Sequence, residues 1–430
     1  MAKSFFIETY GCSANQNNSE IISGLLVSHG LNLVENESLA DIIILNTCIV
    51  KEPTIKKIEE RLKRLTKTDK KLIICGCMPE MFKEKIEKIA PKASILGTFY
   101  IKEIMNTLKK MQEGKKVVLI GEQNEIKLCL PKISKKKTIG IVQICQGCIN
   151  ECSYCLVKKV KGSLFSFPGE KILKEIENNL NAGAKEIWLT SQDNACYGLD
   201  NEDKIDLSKI INKISSLNHR FFLRIGMMNP SSIMPITDEL IEAYKSEKVF
   251  KFLHIPIQSG SNKILKLMNR KYRIEDAIGI IEKFKKQFPE IVIATDIIVG
   301  FPGETEMDFQ ETLKIVKKIS PDVLNHSRFW PMKGTEAEKM PNQISREIIK
   351  RRETELMNLH AKIALDNKLK IVNKEYRVLV DDKGFENTFL ARNENYQLII
   401  IRSKENLQGK FLKIKIKEAK PHYLIGEIIS

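Results

Sequence analysis

Three closely spaced cysteines, Cys148, Cys152 and Cys155, are the residues of this sequence with the clearest chemistry. Their pattern, Cys-x3-Cys-x2-Cys, brings three thiolates close enough to ligate three irons of one [4Fe–4S] cube. A cube contains four irons, so one iron would stay open. An open iron can bind a small molecule and pass it an electron. The sequence therefore predicts an iron–sulfur site at residues 148–155.

Zinc is the alternative ligand for this segment. Cys145 lies three residues before Cys148, so the segment also contains two Cys-x2-Cys pairs. Only three residues separate the pairs, whereas zinc sites of this kind usually have about 15–20. Four cysteines in eleven positions are also too many to be explained by packing, although buried unreactive cysteines are common. The spacing favours the iron–sulfur cluster.

A second group of cysteines, Cys12, Cys48 and Cys77, is spread along the first third of the chain. Each follows a short apolar segment predicted to be a strand, and helical segments separate these strands, which indicates a parallel sheet. The carboxyl edge of such a sheet is where ligands gather. We therefore predict a second cluster with three protein ligands, the alternative being three core cysteines. The predicted strands are 4–9, 41–45 and 72–75.

The helix after the first strand is predicted to begin near Asn18 and Ser19, because both residue types are good N-caps. Apolar residues at 21, 22, 25 and 26 then fall on one face of the helix. Gly30 is expected to end it.

The middle of the chain repeats strand and helix about six times, which predicts an open (β/α)6 barrel rather than the closed eight-stranded form. Its helices include 172–180 and 305–319, with Thr305 as a cap and Asp308 in the first turn. The cysteine triplet follows the first strand, again at the carboxyl edge. The predicted strands are 139–144, 186–190, 221–226, 250–257, 292–299 and 323–329.

The C-terminal part begins with a predicted helix at 346–369 and continues with five short strands, which indicate a small β-barrel. Barrels of this kind commonly bind single-stranded RNA, the alternative being an ordinary solvated barrel face. Lys413, Lys415 and Lys417 alternate with Ile414 and Ile416, so one face should be basic and the other buried. The chain is thus α/β overall. The predicted regions are an α/β domain at 1–130, a linker at 131–138, the barrel at 139–366 and the small β-barrel at 367–430.

Length, charge and cysteine use limit the class of protein. A chain of 430 residues suggests two or three domains. Ten cysteines in this length do not form a disulfide scaffold, no signal peptide opens the chain, and no apolar stretch reaches the roughly 20 residues of a membrane span. We expect a cytoplasmic protein. The net charge of +16 favours a polyanionic partner such as nucleic acid, although a generally lysine-rich composition would give the same charge.

The cysteines and several further motifs together resemble the radical S-adenosylmethionine (SAM) methylthiotransferases over essentially the whole chain, including a closing segment similar to the TRAM barrel. Motifs at 188–193, 226–230 and 251–254 are most similar to the archaeal and eukaryotic branch. The other motifs are Thr9-Tyr10-Gly11-Cys12, Asn46-Thr47-Cys48, Gly76-Cys77-Met78-Pro79, residues 254–261, Met268-Asn269-Arg270 and residues 300–305.

This resemblance implies two [4Fe–4S] clusters and SAM as cofactors. Cys148, Cys152 and Cys155 would hold the SAM-cleaving cluster, and the second cysteine group would hold an auxiliary cluster that carries sulfur. One SAM would methylate that sulfur, and a second would give a 5′-deoxyadenosyl radical that abstracts hydrogen from adenine C2. In this branch the substrate is N6-threonylcarbamoyladenosine at position 37 of tRNA, in the anticodon loop. An electron donor protein is a further implied partner.

Other residues are weaker candidates for binding SAM or substrate. An arginine is chemically suited to the threonylcarbamoyl carboxylate, and Arg270 and Arg328 are candidates. The candidates for cofactor binding are Tyr154, Ser191, Gln192, Gln258, Gly300 and Pro302.

Two other functions remain open at this point. A sister family methylthiolates an aspartate of a ribosomal protein, and the basic terminal barrel favours RNA over that substrate. A non-catalytic zinc protein that binds RNA is the second alternative.

Overall fold

The computed structural model describes residues 3–202 and 205–429. The chain divides into two compact units. The first contains residues up to 135 together with 141–150 and 155–175, and the second contains 136–140, 151–154 and the chain from 176 onward.

The first unit is built on a parallel sheet, as predicted. Its central strands Ile42–Thr47 and Lys71–Gly76 are almost entirely buried, because helices cover both faces of a sheet of this kind. Every pair of neighbouring strands in it is parallel. The strands, in spatial order, are Asn32–Leu33, Ser4–Thr9, Ile42–Thr47, Lys71–Gly76, Ser94–Gly97 and Val118–Leu119.

Helices connect these strands, and a short antiparallel pair, Cys145–Gln146 with Phe165–Ser166, completes the unit. Helix Gly169–Asn181 begins in the first unit and ends in the second. The other helices are Ser13–Ser28, Glu52–Leu65, Met78–Ile89, Ile104–Gln112 and Val157–Lys161.

The predicted start of the first helix at Asn18 was wrong. The helix begins at Ser13 with Cys12 as its N-cap. Asn15 is held there by tertiary partners, since its Nδ2 donates to the carbonyls of Tyr10 and Thr47 at 2.9 Å. The buried side-chain amide of Asn18 has no hydrogen-bond partner among the described residues. A residue with a local preference for caps is therefore buried inside the helix without the cap bond that its type favours.

The strands of the predicted open barrel belong to the second unit, except that residues 141–143 of the first strand, Ile139–Gln143, are assigned to the first unit. Glu186–Thr190 pairs in parallel with Phe222–Ile225. The other three strands form a parallel sheet in the order Phe252–His254, Val292–Val299, Val323–Arg328.

The predicted strand 250–257 was too long, since only Phe252–His254 is a regular strand. Pro256 has no N–H to continue the ladder. Thr295 Oγ1 instead accepts a hydrogen bond from Ile257 N at 3.2 Å and donates to the carbonyl of Ile255 at 2.7 Å.

Helices follow the strands of this unit, and helix Arg346–Leu369 has the predicted bounds. The predicted cap at Thr305 is also confirmed, since its hydroxyl accepts a hydrogen bond from Asp308 N at 3.2 Å. The other helices are Leu207–Ser215, Pro230–Ile233, Thr237–Tyr244, Asn262–Leu267, Ile274–Gln287 and Glu306–Ile319.

The C-terminal strands close into a five-stranded barrel, as predicted. Ile414 and Ile416 are fully buried in its core, whereas Lys413 and Lys417 are exposed. The alternation predicted for this strand is therefore confirmed. The strands, in spatial order, are Glu375–Lys383, Thr388–Asn393, Leu398–Arg402, Leu424–Ile428 and Phe411–Ala419.

Among the helices of residues 3–202 and 205–429, none combines the length and apolar character needed to cross a membrane.

Candidate functional site

Cys12, Cys48 and Cys77 lie together just beyond the carboxyl ends of three adjacent strands. The register pairs Thr9 with Asn46 and Thr47 with Gly76, so the strands end side by side. Cys48 and Cys77 are buried, and Cys12 is exposed at the start of its helix. The fold therefore brings these three thiols to one edge of the sheet, as predicted.

Gly11 lies in close contact with Cys48. Its φ of +108° lies in the region that favours glycine. A β-carbon at Gly11 would lie 2.9 Å from Cβ of Cys48 and 3.0 Å from its Sγ. A side chain at this position would therefore displace Cys48.

Asn15 is a residue of this group that sequence reasoning missed. Cys77 Sγ donates to its Oδ1 at 3.7 Å, while its Nδ2 bonds the backbone around the other two cysteines. The only signal in the sequence was its position three residues after Cys12, within a run of asparagines that suggested a helix cap.

Two thiols of this group, those of Cys48 and Cys77, have raised pKa values. Burial, and after it the neighbouring Cys77, raises the pKa of Cys48 to about 11. Burial also raises the pKa of Cys77, against the influence of Lys161 and Asn15. Because iron binds the thiolate, cluster binding at these residues must release protons.

The arrangement fits a cluster better than a single ion. Within the described part of the chain, no three His, Cys, Asp or Glu side chains are placed to hold one metal ion. Structural zinc needs four ligands that converge tetrahedrally, and this group contains three cysteines. The cysteines of a cube bind different irons and need no common point, so three separated thiols around a glycine cradle are compatible with one.

In the segment 148–155, the sulfurs of Cys148, Cys152 and Cys155 each accept a hydrogen bond. The backbone N–H of Asn150 points to Cys148 Sγ at 3.4 Å, and that of Val157 points to Cys155 Sγ at 3.3 Å. Such bonds favour the thiolate form that iron binds.

Cys152 has a charged partner, Arg270, whose Nη1 donates to Sγ at 3.3 Å. The other guanidinium nitrogens bond Tyr272 Oη at 3.2 Å, Asn229 Oδ1 at 3.1 Å and the carbonyl of Pro256 at 3.2 Å. These hydrogen bonds hold the guanidinium of Arg270 against Cys152. The second candidate for the substrate carboxylate, Arg328, forms an ion pair with Glu353 at 2.5 Å.

Of the predicted SAM contacts, Ser191 has the clearest geometry. It follows strand Glu186–Thr190 directly, beside the half-buried Gln192. The Ser191 hydroxyl is buried, and within the described residues it has no hydrogen-bond partner. An orphaned hydroxyl at the carboxyl end of a barrel strand is suited to a polar ligand. Tyr154 packs edge-on against Phe301, with ring centroids 6.3 Å apart.

The remaining candidates lie in turns. Gln258 has a left-handed φ of 63°, and Pro302 is buried. Gly300 has a φ of +79°, and a β-carbon there would lie 2.3 Å from Cγ1 of Ile349. Helix packing by itself accounts for this glycine. Roles of these residues in SAM binding stay predictions.

Comparison with known families identifies the class of each part. The model of the radical SAM superfamily matches residues 142–316, which implies a [4Fe–4S] cluster and SAM. The TRAM domain matches residues 370–429, and the uncharacterized protein family UPF0004 matches residues 4–97.

Relatives with the same organisation extend over the whole chain. The Pyrococcus horikoshii protein named "Probable threonylcarbamoyladenosine tRNA methylthiotransferase" is 37% identical over 428 residues, which are 99% of each chain. The Homo sapiens protein named threonylcarbamoyladenosine tRNA methylthiotransferase is 33% identical, over 99% of this chain and 74% of its own. The chain belongs to this family of radical SAM methylthiotransferases.

Solved structures agree with the fold. A radical SAM methyltransferase, TsrM from Kitasatospora setae with cobalamin and a [4Fe–4S] cluster bound, gives a TM-score of 0.57 at 12% identity, over 78% of this chain and 74% of that one. The cobalamin-dependent SAM radical enzyme OxsB gives 0.53 at 13% identity, over 83% of this chain and 56% of that one. At these identities the likeness concerns the fold alone.

Proposed function

We propose that this protein is a tRNA methylthiotransferase that converts N6-threonylcarbamoyladenosine at position 37 to its 2-methylthio derivative. Membership in the family, over the full chain and with all six predicted cluster cysteines in place, is the observation that carries the proposal. The TRAM match and the orphaned Ser191 hydroxyl support an RNA substrate and a polar ligand.

The proposal assigns separate roles to the two cysteine groups. Cys148, Cys152 and Cys155 hold a cluster with an open iron, and Cys12, Cys48 and Cys77 hold another. When bound, the two clusters and SAM supply the electron, the radical and the methylated sulfur of the reaction. Adenine C2–H has no proton that a side-chain base could remove at neutral pH, so the chemistry belongs to the cofactors.

The protein's own residues bind, orient and shelter these groups. Arg270 and the N–H groups of Asn150 and Val157 stabilise the thiolates of the first cysteine group. Gly11 and Asn15 place Cys48 and Cys77 at the sheet edge. Ser191 and Gln192 are proposed to bind SAM, together with Tyr154, Gln258, Gly300 and Pro302.

The proposed partners are the anticodon loop of tRNA and an electron donor protein that reduces the SAM-cleaving cluster. We place the reaction in the cytoplasm, since iron–sulfur thiolates need a reducing compartment. The regions 1–130, 139–366 and 367–430 would act as the sulfur-carrying, SAM-cleaving and RNA-binding parts.

Mass spectrometry of tRNA nucleosides tests the reaction. A host strain that lacks the 2-methylthio derivative should gain it when it expresses this chain, and the Cys148→Ala variant should not restore it. A methylthio group on a ribosomal peptide, with unmodified tRNA, would contradict the proposal and favour the aspartate alternative.

Iron content and SAM cleavage test the two-cluster assignment after anaerobic reconstitution. The intact chain should bind roughly eight irons, and Cys148→Ala and Cys48→Ala roughly four each. Cys148→Ala should abolish SAM cleavage, whereas Cys48→Ala should retain cleavage without forming the methylthio product. Cys129→Ala, at an exposed cysteine outside both groups, is the matched control. Equal loss of cleavage in both cluster variants would refute the division.

A further inference from the structure

Two buried lysines lie beside the auxiliary cysteine group and were not predicted to have a role. The side chains of Lys127 and Lys161 are enclosed, with exposures of 1% and 5% for the residues. Both ammonium groups bond Thr98: Lys161 Nζ donates to its Oγ1 and Lys127 Nζ to its carbonyl, each at 2.6 Å. Thr98 thus holds the two cations next to each other.

Neither lysine has a carboxylate as a direct partner. Neither ammonium takes part in an ion pair among the described residues, so no Asp or Glu oxygen of that part of the chain lies within 4.0 Å of them. The second acceptor of Lys127 is the neutral amide oxygen of Gln146, at 2.7 Å. Two enclosed cations side by side are costly. Burial and the charge of Lys161 lower the pKa of Lys127 to about 7. Glu80, whose Oε1 accepts from Thr98 N at 2.9 Å, acts on both lysines through space only. An anion in closer contact would stabilise the pair further.

Thr98 lies beside Cys77 at the sheet edge. The strands before them are in register, with Gly76 paired to Gly97, so the residues that follow the two strand ends are neighbours. Lys161, which bonds Thr98 Oγ1, is therefore placed next to Cys77. A cluster held by three thiolates is anionic, so it would supply a negative charge next to this lysine.

Lys161 and Gln146 lie close in sequence to the cysteines of the first group. Lys161 is the last residue of helix Val157–Lys161, which follows Cys155, and Gln146 comes two residues before Cys148. The hydrogen-bonded path from Lys161 through Thr98 and Lys127 to Gln146 therefore links the surroundings of Cys77 to the segment of the SAM-cleaving cysteines.

We propose that Lys161, held by Thr98 beside Lys127, is the positioning cation of the auxiliary cluster and sets its reduction potential. This inference rests on the proposed second cluster at Cys12, Cys48 and Cys77. A fixed positive charge next to a thiolate ligand stabilises the more negative, reduced cluster. Lys161 therefore makes the auxiliary cluster easier to reduce by one electron.

The test uses full-length protein with the Cys148→Ala change, so that only the auxiliary cluster is loaded. Dithionite serves as the one-electron reductant in a redox titration followed by electron paramagnetic resonance. Adding Lys161→Met should shift the reduction equilibrium at least tenfold toward the oxidised cluster, which is about 59 mV for one electron. Lys161→Arg, which keeps the positive charge, should give a potential close to that of the parent protein. Lys159→Met, at an exposed lysine of the same helix, should cause none.

Several outcomes would overturn the inference. One is an unchanged potential in a fully loaded Lys161→Met protein, and another is an equal shift in Lys161→Arg and Lys161→Met. If Lys161→Met fails to retain iron, normal loading and potential in Lys161→Arg support the role of the charge, and failure of both variants contradicts it. Absence of iron in the Cys148→Ala parent protein itself would instead refute the second cluster of the proposed function.

Discussion

Arg270 and Cys152, separated by 118 residues in the sequence, are joined by a hydrogen bond of 3.3 Å between Nη1 and Sγ. The arginine follows helix Asn262–Leu267, whereas the cysteine belongs to the triplet after the first barrel strand. The contact brings a permanent positive charge to a thiolate that is proposed to ligate the SAM-cleaving cluster. It therefore connects the position of a barrel loop to the chemistry of that cluster.

Arg270→Lys should impair SAM cleavage although it preserves the charge. A lysine cannot bond Cys152, Asn229 and Pro256 at the same time, because it lacks the planar fork of arginine. We expect cleavage to 5′-deoxyadenosine to slow about tenfold, equivalent to about 1.4 kcal/mol, in reconstituted and reduced enzyme with normal iron content. Arg273→Lys is the control, since that side chain is exposed and pairs with Glu275. Equal cleavage rates in both variants would contradict this role of Arg270.

Gly11→Ala should prevent the auxiliary cluster from binding. The new methyl group would lie about 3 Å from Cys48 Sγ, a distance that requires this cysteine to move. Iron content should fall from roughly eight to roughly four per chain, with SAM cleavage retained. Gly30→Ala is a matched control, because Gly30 also has a positive φ but nothing lies within 4 Å of its added β-carbon. The steric explanation fails if both variants lose iron equally.

Arg352→Met should destabilise the fold much more than Arg351→Met. Arg352 Nη1 bonds Glu304 Oε2 at 2.8 Å, and both side chains are buried. Removing this cation leaves a buried carboxylate, at a cost of about 3–5 kcal/mol. The neighbouring Arg351 forms an exposed pair with Glu306, and its loss should cost about 0–1 kcal/mol. Urea unfolding measures both values, and similar midpoints for the two variants would contradict the argument.

The pH dependence of the same variant follows from Glu304. Burial already raises the pKa of Glu304 to about 7, against hydrogen bonds from Gly300 N–H and Arg352. A carboxyl whose native pKa is raised stabilises the fold when protonated and loses that stabilisation as the pH rises through the native pKa. The deficit of Arg352→Met should therefore be larger at pH 8.5 than at pH 6.

Binding of tRNA should weaken steeply with salt, since lysines that contact phosphate release counterions. On the basic strand of the small barrel, Lys413 pairs with Glu375 and Lys417 with Glu427. Lys415 lies between them and has no ion pair among the described residues. Lys415→Ala should reduce the slope of log K against log salt by about one, and Lys417→Ala by less. Slopes equal to that of the parent protein in both variants would exclude this strand as a phosphate contact.

Much of the fold could be predicted because local patterns agree with the tertiary structure. Continuous apolar segments gave the buried strands of the first sheet, and Thr305 with Asp308 gave the start of a helix. Where tertiary contacts oppose local preference, the prediction failed. Asn18 favours a cap, yet it is buried inside the helix that begins at Ser13. Pro256 and Gln258 end a strand that the apolar pattern extended too far.

The sequence alone determined which thiols belong to each proposed cluster. Close spacing identifies one group, and the position of each cysteine after a strand of a parallel sheet identifies the other. Only the tertiary structure decided what surrounds these thiols. Lys161 meets Thr98 across 63 residues, and Arg270 meets Cys152 across 118. Local sequence does not encode such pairs, because they form only when distant segments of the chain fold against each other.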